Sequence, residues 1–371
     1  MKIVFNTDQI YLHGGIEKTI ATKANYFVNL PDVEVVIVTT EQNGKPPCYP
    51  IDQRVRMVDI GINYSRDLSY FTMSNLGKVF RHFRCQKKLF NELQPDVVIS
   101  PNFNFDHYWL PFLVPKAKLI KERHGSRYAE EEKSRTATVL GKIKIMLDDW
   151  IDARYDHIVV LNQDEKKYVK SDNAVVIPNS VSIPDATAVL KNKQVIAAGR
   201  ISPVKGFDDL IQAWKIVNEK FPDWQLHIYG EDYLDTKARL KILISDLNLQ
   251  NAVLFKESVN DLPATMTDYS IYAMSSVTEC FPMVLLEALS VGLPIVSYDC
   301  PNGPRNILID NEDGLLAAHK NPNSLAEKLM IFMSDERART IMGINAKNNI
   351  ERFSNETVMK LWHKLLNSQD V

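Results

Sequence analysis

At 371 residues the chain predicts about two domains with substantial cores, and its 45% hydrophobic and 24% charged content is that of an ordinary globular protein. A net charge of −2 with a pI near 6.5 argues against a nucleic-acid-binding protein, which carries a strongly basic face. No stretch approaches the roughly 20 apolar residues of a membrane span, and the apolar run at Met1-Lys2-Ile3-Val4-Phe5 is too short for a signal peptide.

In chain order, short β-branched runs alternate with amphipathic segments, which predicts α/β architecture with parallel sheets. Strands are expected at 2–6, 33–40, 97–100, 119–123, 157–161 and 175–178, several of them apolar without alternation, as when both faces are covered. Between the second and third of these, Leu76, Val79, Phe80 and Phe83 share a helical face, with Lys78, Arg81, Arg84, Lys87 and Lys88 nearby. That pattern suits a core-facing helix with a solvated outer side, the preferred reading, or a helix resting on anionic lipid.

Residues 180–193 break the alternation and read as a linker. Strands resume at 194–199, 225–229, 253–255, 270–274, 295–298 and 315–317, giving two doubly wound domains in series. The tail, 354–366, places Val358, Leu361, Trp362 and Leu365 on one face of a terminal helix. Cys48, Cys85, Cys280 and Cys300 are scattered, with no CxxC pair and no zinc-ligand spacing, so reduced thiols in the cytosol are the simplest reading.

Open parallel sheets bind ligands beyond the carboxyl ends of their strands. After the first strand come Gly14 and Gly15, a turn that suits phosphate or an ordinary strand-to-helix connection. His124 follows the strand at 119–123. In the second half, Arg200 and Lys205 flank a proline turn, the pattern of two cations closing on a diphosphate, and Gly230 marks another close approach. Glu279 and Glu287 stand eight positions apart, separated by Phe281, Met283 and Val284, and Pro282 marks an expected helix start at 281–282. A helix N-terminus there, with a carboxylate at each end, suits a ligand with a central diphosphate and hydroxyl-rich ends, a nucleotide sugar.

Taken together, Gly14-Gly15-x-Glu17, Gly199-Arg200 with Lys205-Gly206, and Glu279-x7-Glu287 followed by Gly292-Leu293-Pro294 resemble the family-4 retaining glycosyltransferases (group 1) of GT-B fold. The resemblance implies two Rossmann-like domains facing a cleft: an acceptor-side domain over 1–184, a donor domain over 185–352, and a terminal helix, 353–371, packing back on the first. It implies a nucleotide-sugar donor, most simply a UDP-sugar, a glycan or lipid-linked acceptor, and neither metal nor cofactor. By position, Arg200 and Lys205 would hold the donor diphosphate and stabilise the leaving phosphate. Glu279 would lie beside the transferred sugar, Glu287 would hold the ribose, and the Met283 and Val284 N–H groups beside Phe281 would reach the sugar. Gly15 and His124 would contribute from the first domain.

Cys280 and Pro282, where the family often has glycine, and Asn306, where it often has glutamate, depart from the pattern. The activity so implied is hexosyl or N-acetylhexosaminyl transfer in polysaccharide or glycoconjugate synthesis; the scattered cysteines suit the cytoplasm, and peripheral contact at the inner membrane surface would follow only from the second reading of the helix at 76–88. A non-catalytic nucleotide-sugar-binding subunit, or another GT-B enzyme such as a sugar-nucleotide epimerase, is the competing reading.

Overall fold

Strands of four to six residues that are apolar on both sides must be covered by helices on both faces, and parallel pairing follows. A computed structural model describes residues 1–101, 104–128, 131 and 138–367. They fall into two units, Met1–Ile177 with Met359–Val371, and Pro178–Val358.

The first unit contains β1 (Lys2–Thr7), β2 (Glu34–Thr39), β3 (Arg56–Asp59), β4 (Val97–Ser100), β5 (Lys118–Arg123), β6 (His157–Val160) and β7 (Ala174–Val176). They make one parallel sheet in the order β3-β2-β1-β4-β5-β6-β7, with Val4 aligned to Val36 and to Val98. Those three valines, with Phe90, Leu110 and Ile158, form its core. The order reverses between β1 and β4, which makes their carboxyl ends the ligand-binding edge of this sheet.

Two features of this unit depart from expectation. Strand β3 has no counterpart in the sequence reading: its residues are largely exposed and it pairs with β2 alone, so it lacks the apolar signature of a covered strand. The helix Met73–Leu93 does not turn its apolar stripe wholly inward. Its buried residues are Asn75, His82, Gln86, Phe90 and Leu93, while Leu76 and Phe80 stand exposed. The reason is a polar network: Asn6 and Gln86 both donate to Asp106, and the Trp109 indole N–H donates to Gln86 at 2.7 Å. Satisfying Asp106 inside the unit outweighs burying two apolar side chains.

The second unit contains β8 (Gln194–Ala198), β9 (Gln225–Tyr229), β10 (Val253–Lys256), β11 (Ile271–Met274), β12 (Ile295–Tyr298) and β13 (Gly314–Ala317), ordered β10-β9-β8-β11-β12-β13. Its core is built on Val195, Trp214, Leu226, Ile271 and Val296. Here the order reverses between β8 and β11.

Residues 178–184 stand with this second unit rather than the first, because the Val181 N–H donates to Phe353 O and Val181 bridges to Ser354. The terminal helix, Asn355–Asn367, begins in the second unit and ends in the first. In the first unit Trp362 meets the Phe27 ring edge-on at 6.5 Å.

Candidate functional site

The reversal between β8 and β11 is where the candidate residues of the second unit gather. Strand β8 runs into Gly199, whose φ of +148° and contact with the Lys205 side chain leave no room for a Cβ without displacement. Across it, Gly230 at the end of β9 has φ +150°, and a Cβ there would stand 2.0 Å from Gly199 O. Only glycine lets these two strand ends lie so close. The loop then makes a 3₁₀ turn, Pro203–Lys205, which leads into the helix Phe207–Lys220.

This loop is tied to the loop after β11. The Val277 N–H donates to Val204 O at 2.8 Å, and the Ser275 hydroxyl donates to Lys205 O at 3.0 Å. The link sets Lys205 opposite Glu279, with Lys205 Nζ 2.7 Å from Glu279 Oε1. A third loop, after β12, completes the setting, since a Cβ on Gly303 would stand 2.6 Å from the Glu279 Cβ. Three strand ends thus hold one carboxylate and one ammonium, both in contact with water.

The other predicted residues take distinct places around this pair. Arg200 is exposed, its guanidinium 4.6 Å from the centre of the Tyr233 ring. Pro282 takes the position before the helix rather than its first turn, with φ −68° and ψ 109°, so the helix is Met283–Ser290 and begins later than expected. Extended ψ at Pro282 is what moves the start: the chain enters the helix only at Met283. The first-turn N–H groups of Met283 and Val284 are not required by the helix ladder. Phe281 is buried against Phe353, ring centres 5.5 Å apart, so its side chain is part of the packing.

Glu287 is buried on the helix. Burial raises the Tyr272 hydroxyl far above its usual range, its hydrogen bond to Ala198 O works against the rise, and the charges of Glu279 and Glu287 add to it. Cys300 is likewise pushed up to about 12 by burial, with Glu279 and Asp299 adding, so its thiol stays protonated. Buried hydroxyls of Ser202, Ser276 and Thr278 on the same two loops have no hydrogen-bond partner among the described residues.

Gly15 and His124 belong to the first unit. Gly15 opens the helix Gly15–Phe27, and Gly14 before it is extended at φ −164°. A Cβ at Gly14 would stand 2.3 Å from Glu17 Oε2, the end of a flexible side chain folded back over this turn. His124 follows β5, and its Nε2 lies 3.1 Å from Glu122 Oε2. Glu122 is in turn gripped by Lys23 through both oxygens, in a wholly buried ion pair.

The sequence reading missed Lys23 and Glu122. A signal existed: Lys121-Glu122-Arg123 puts three charges inside a strand, which is tolerable only if each is paired. Lys121 and Arg123 both bind Asp152. Also missed was Arg66, 2.6 Å from Asp8 and 3.3 Å from Glu41 beyond the ends of β1 and β2. Among the described residues, no group of three or more His, Cys, Asp or Glu side chains is arranged to hold a metal ion, and no helix is long and apolar enough to cross a membrane.

Known proteins share this architecture. Residues 182–349, most of the second unit, match the model of the family described as glycosyl transferases group 1. An uncharacterized glycosyltransferase of Haemophilus influenzae is 25% identical, over 98% of this chain and 99% of that protein. The poly(ribitol-phosphate) alpha-N-acetylglucosaminyltransferase of Staphylococcus aureus is 28% identical over 53% of this chain and 40% of its own length. Among solved structures, Anabaena HepE in complex with UDP shares 17% identity, with a TM-score of 0.77 over 100% of both chains. The two Rossmann-like units are those of the GT-B fold, and the match to the group 1 glycosyl transferases is carried by residues 182–349.

Proposed function

We propose that this protein is a retaining glycosyltransferase that moves a hexose or N-acetylhexosamine from a UDP-sugar to a glycan or lipid-linked acceptor, in the synthesis of a surface polysaccharide or glycoconjugate. The observation that carries the proposal is the half-open Lys205–Glu279 pair at the strand-order reversal, with Arg200 on the same loop. UDP in HepE and the alpha-N-acetylglucosaminyl transfer named for the S. aureus relative support the choice of donor.

Glycosyl transfer expels a nucleoside diphosphate, so the barrier falls most where fixed positive charge meets the leaving oxygen. Lys205 and Arg200 supply that charge from the protein itself, and the reaction then requires no metal ion. When the diphosphate takes Lys205, Glu279 is released from its partner and faces the sugar. Glu287 holds the ribose hydroxyls, the Met283 and Val284 N–H groups meet the donor, and Gly230 keeps the floor free of side chain. In the first unit, His124 and Gly15 are the candidate residues. In a front-face reaction the leaving phosphate takes the acceptor proton as the new glycosidic bond forms, and the anomeric configuration is kept.

A thermal-shift screen over UDP-, GDP- and ADP-sugars tests this reading without an acceptor. A UDP-sugar present at about 100 times its Kd adds roughly 2.7 kcal/mol of stability, whereas Arg200→Ala removes most of the shift. Donor hydrolysis continues in EDTA. No shift with any of the nucleotide sugars, or an undiminished shift in Arg200→Ala, overturns the assignment.

A further inference from the structure

One side of the first unit exposes more apolar surface than a water-facing side has use for. The helix Val139–Asp152 buries Asp148, Ile151 and Asp152, and it does so because Lys121 and Arg123 inside the unit need the Asp152 carboxylate. With the acidic face inward, the apolar stripe is turned out. Leu140, Ile143, Met146 and Trp150 recur every three or four residues along it, with Leu140 77% and Met146 70% exposed.

The stripe continues onto neighbouring elements. The Phe112 ring lies 6.0 Å from Trp150, and on the same short segment Trp109 meets Phe83 of the helix Met73–Leu93 at 6.1 Å. That helix turns Phe80 outward, 69% exposed. Two helices and the segment joining them therefore present exposed apolar side chains on one side of the unit.

Its charge points to the occupant. The helix Met73–Leu93 carries Lys78, Arg81, Arg84, Lys87 and Lys88 against the single carboxylate of Glu92, in a chain whose net charge is −2. Cations also lie against the aromatic rings of this side: Arg84 at 5.5 Å from Phe80, Lys87 at 6.0 Å from Phe83, and Arg154 at 3.2 Å from Trp150. Apolar side chains set among cations match the boundary of an anionic bilayer, where aromatic rings and lysine or arginine are favoured. A second copy of this chain would bring the same cations together and be repelled.

We propose that this side of the first unit docks peripherally on an anionic lipid bilayer, Leu140, Met146, Trp150 and Phe80 entering the headgroup boundary while Arg84, Lys87 and Arg154 meet lipid phosphates. The proposal deepens the glycosyltransferase reading, since it brings the enzyme to the surface where a lipid-linked acceptor would lie. It is tested without catalysis.

The full chain is floated with vesicles of phosphatidylcholine alone and of phosphatidylcholine with about one-third phosphatidylglycerol, at about 0.1 M and about 1 M salt. Binding is expected to the anionic vesicles at low salt and to weaken at high salt. Arg84→Gln with Lys87→Gln should lower vesicle affinity about 25-fold, about fivefold for each cation lost. Leu140→Ser with Met146→Ser should lower it independently of salt. Both double variants should melt as the parent protein does and keep its thermal shift with the UDP-sugar, which separates lost docking from lost folding. Equal recovery with both vesicle types, or binding that neither double variant changes, overturns the proposal. A dimer in light scattering that Leu140→Ser with Met146→Ser abolishes would assign the face to a second copy and overturn it too.

Discussion

Lys23 and Glu122 in the first unit have side chains 0% and 1% exposed, whereas Lys205 and Glu279 in the second are 22% and 15% exposed. The two pairs have the same chemistry and both sit by the ligand-binding edges of parallel sheets, yet they do different work. A sealed pair cannot exchange partners, because either charge left alone inside costs several kcal/mol. The half-open pair can trade its carboxylate for an incoming phosphate, because water compensates whichever group is momentarily unpaired. Burial alone would raise the Glu122 carboxyl, but Lys23 and His124 hold it well below the usual carboxylate range. The first pair therefore fixes β5 and the placement of His124, and the second is set to respond to a ligand.

The largest effect should come from breaking the sealed pair. Lys23→Met leaves Glu122 buried without its ammonium and should lower stability by about 3–5 kcal/mol, read as a fall in the urea midpoint. Adding Glu122→Leu should recover most of that loss. A single-variant loss below about 1 kcal/mol would show that the pair is not sealed in solution. Lys205→Ala should do the reverse: stability changes by no more than about 1 kcal/mol, while turnover falls about 10²- to 10³-fold as the leaving diphosphate loses a fixed cation. If Lys205→Ala unfolds the protein as readily as Lys23→Met does, the contrast between the two units fails.

The sequence exposed those parts of this arrangement that depend on local chemistry. Covered strands such as Val97–Ser100 and Ile271–Met274 read clearly because every residue is apolar or small, and the cations and carboxylates of the second unit read clearly because they follow such strands. What could not be read was which groups meet. Lys205 and Glu279 are 74 positions apart and Lys23 and Glu122 are 99 apart, so the pairing is decided by strand order rather than by spacing. The outward turn of Leu76 and Phe80 was hidden for a related reason. Periodicity shows that a helix has two faces, but Asp106, held by Asn6 and Gln86, decides which face goes inside. Strand β3 was missed because an exposed edge strand carries little apolar pattern.

Glu41 lies between the two extremes and gives the smallest of these effects. Its own side chain is 3% exposed, but its partner Arg66 is 40% exposed, so a buried acid is matched to an open cation. Burial pushes the Glu41 carboxyl up to about 7 against the pull of Arg66, with Asp8 adding to the rise. Because the folded value lies above the ordinary 4.5, the folded state favours the protonated acid. The stability this contributes is present in full below about pH 4.5 and is lost as pH rises through 7. Discounted for the solvent that reaches the Arg66 side, the loss between pH 5 and 8 amounts to about 1–2 kcal/mol. Glu41→Gln cannot ionise, so its melting temperature should stay flatter over that range, matching or trailing the parent at pH 5 and exceeding it at pH 8. Parallel curves for the two proteins would mean that Arg66 compensates Glu41 fully, and that an open cation can neutralise a buried carboxylate as well as the sealed Lys23 does for Glu122.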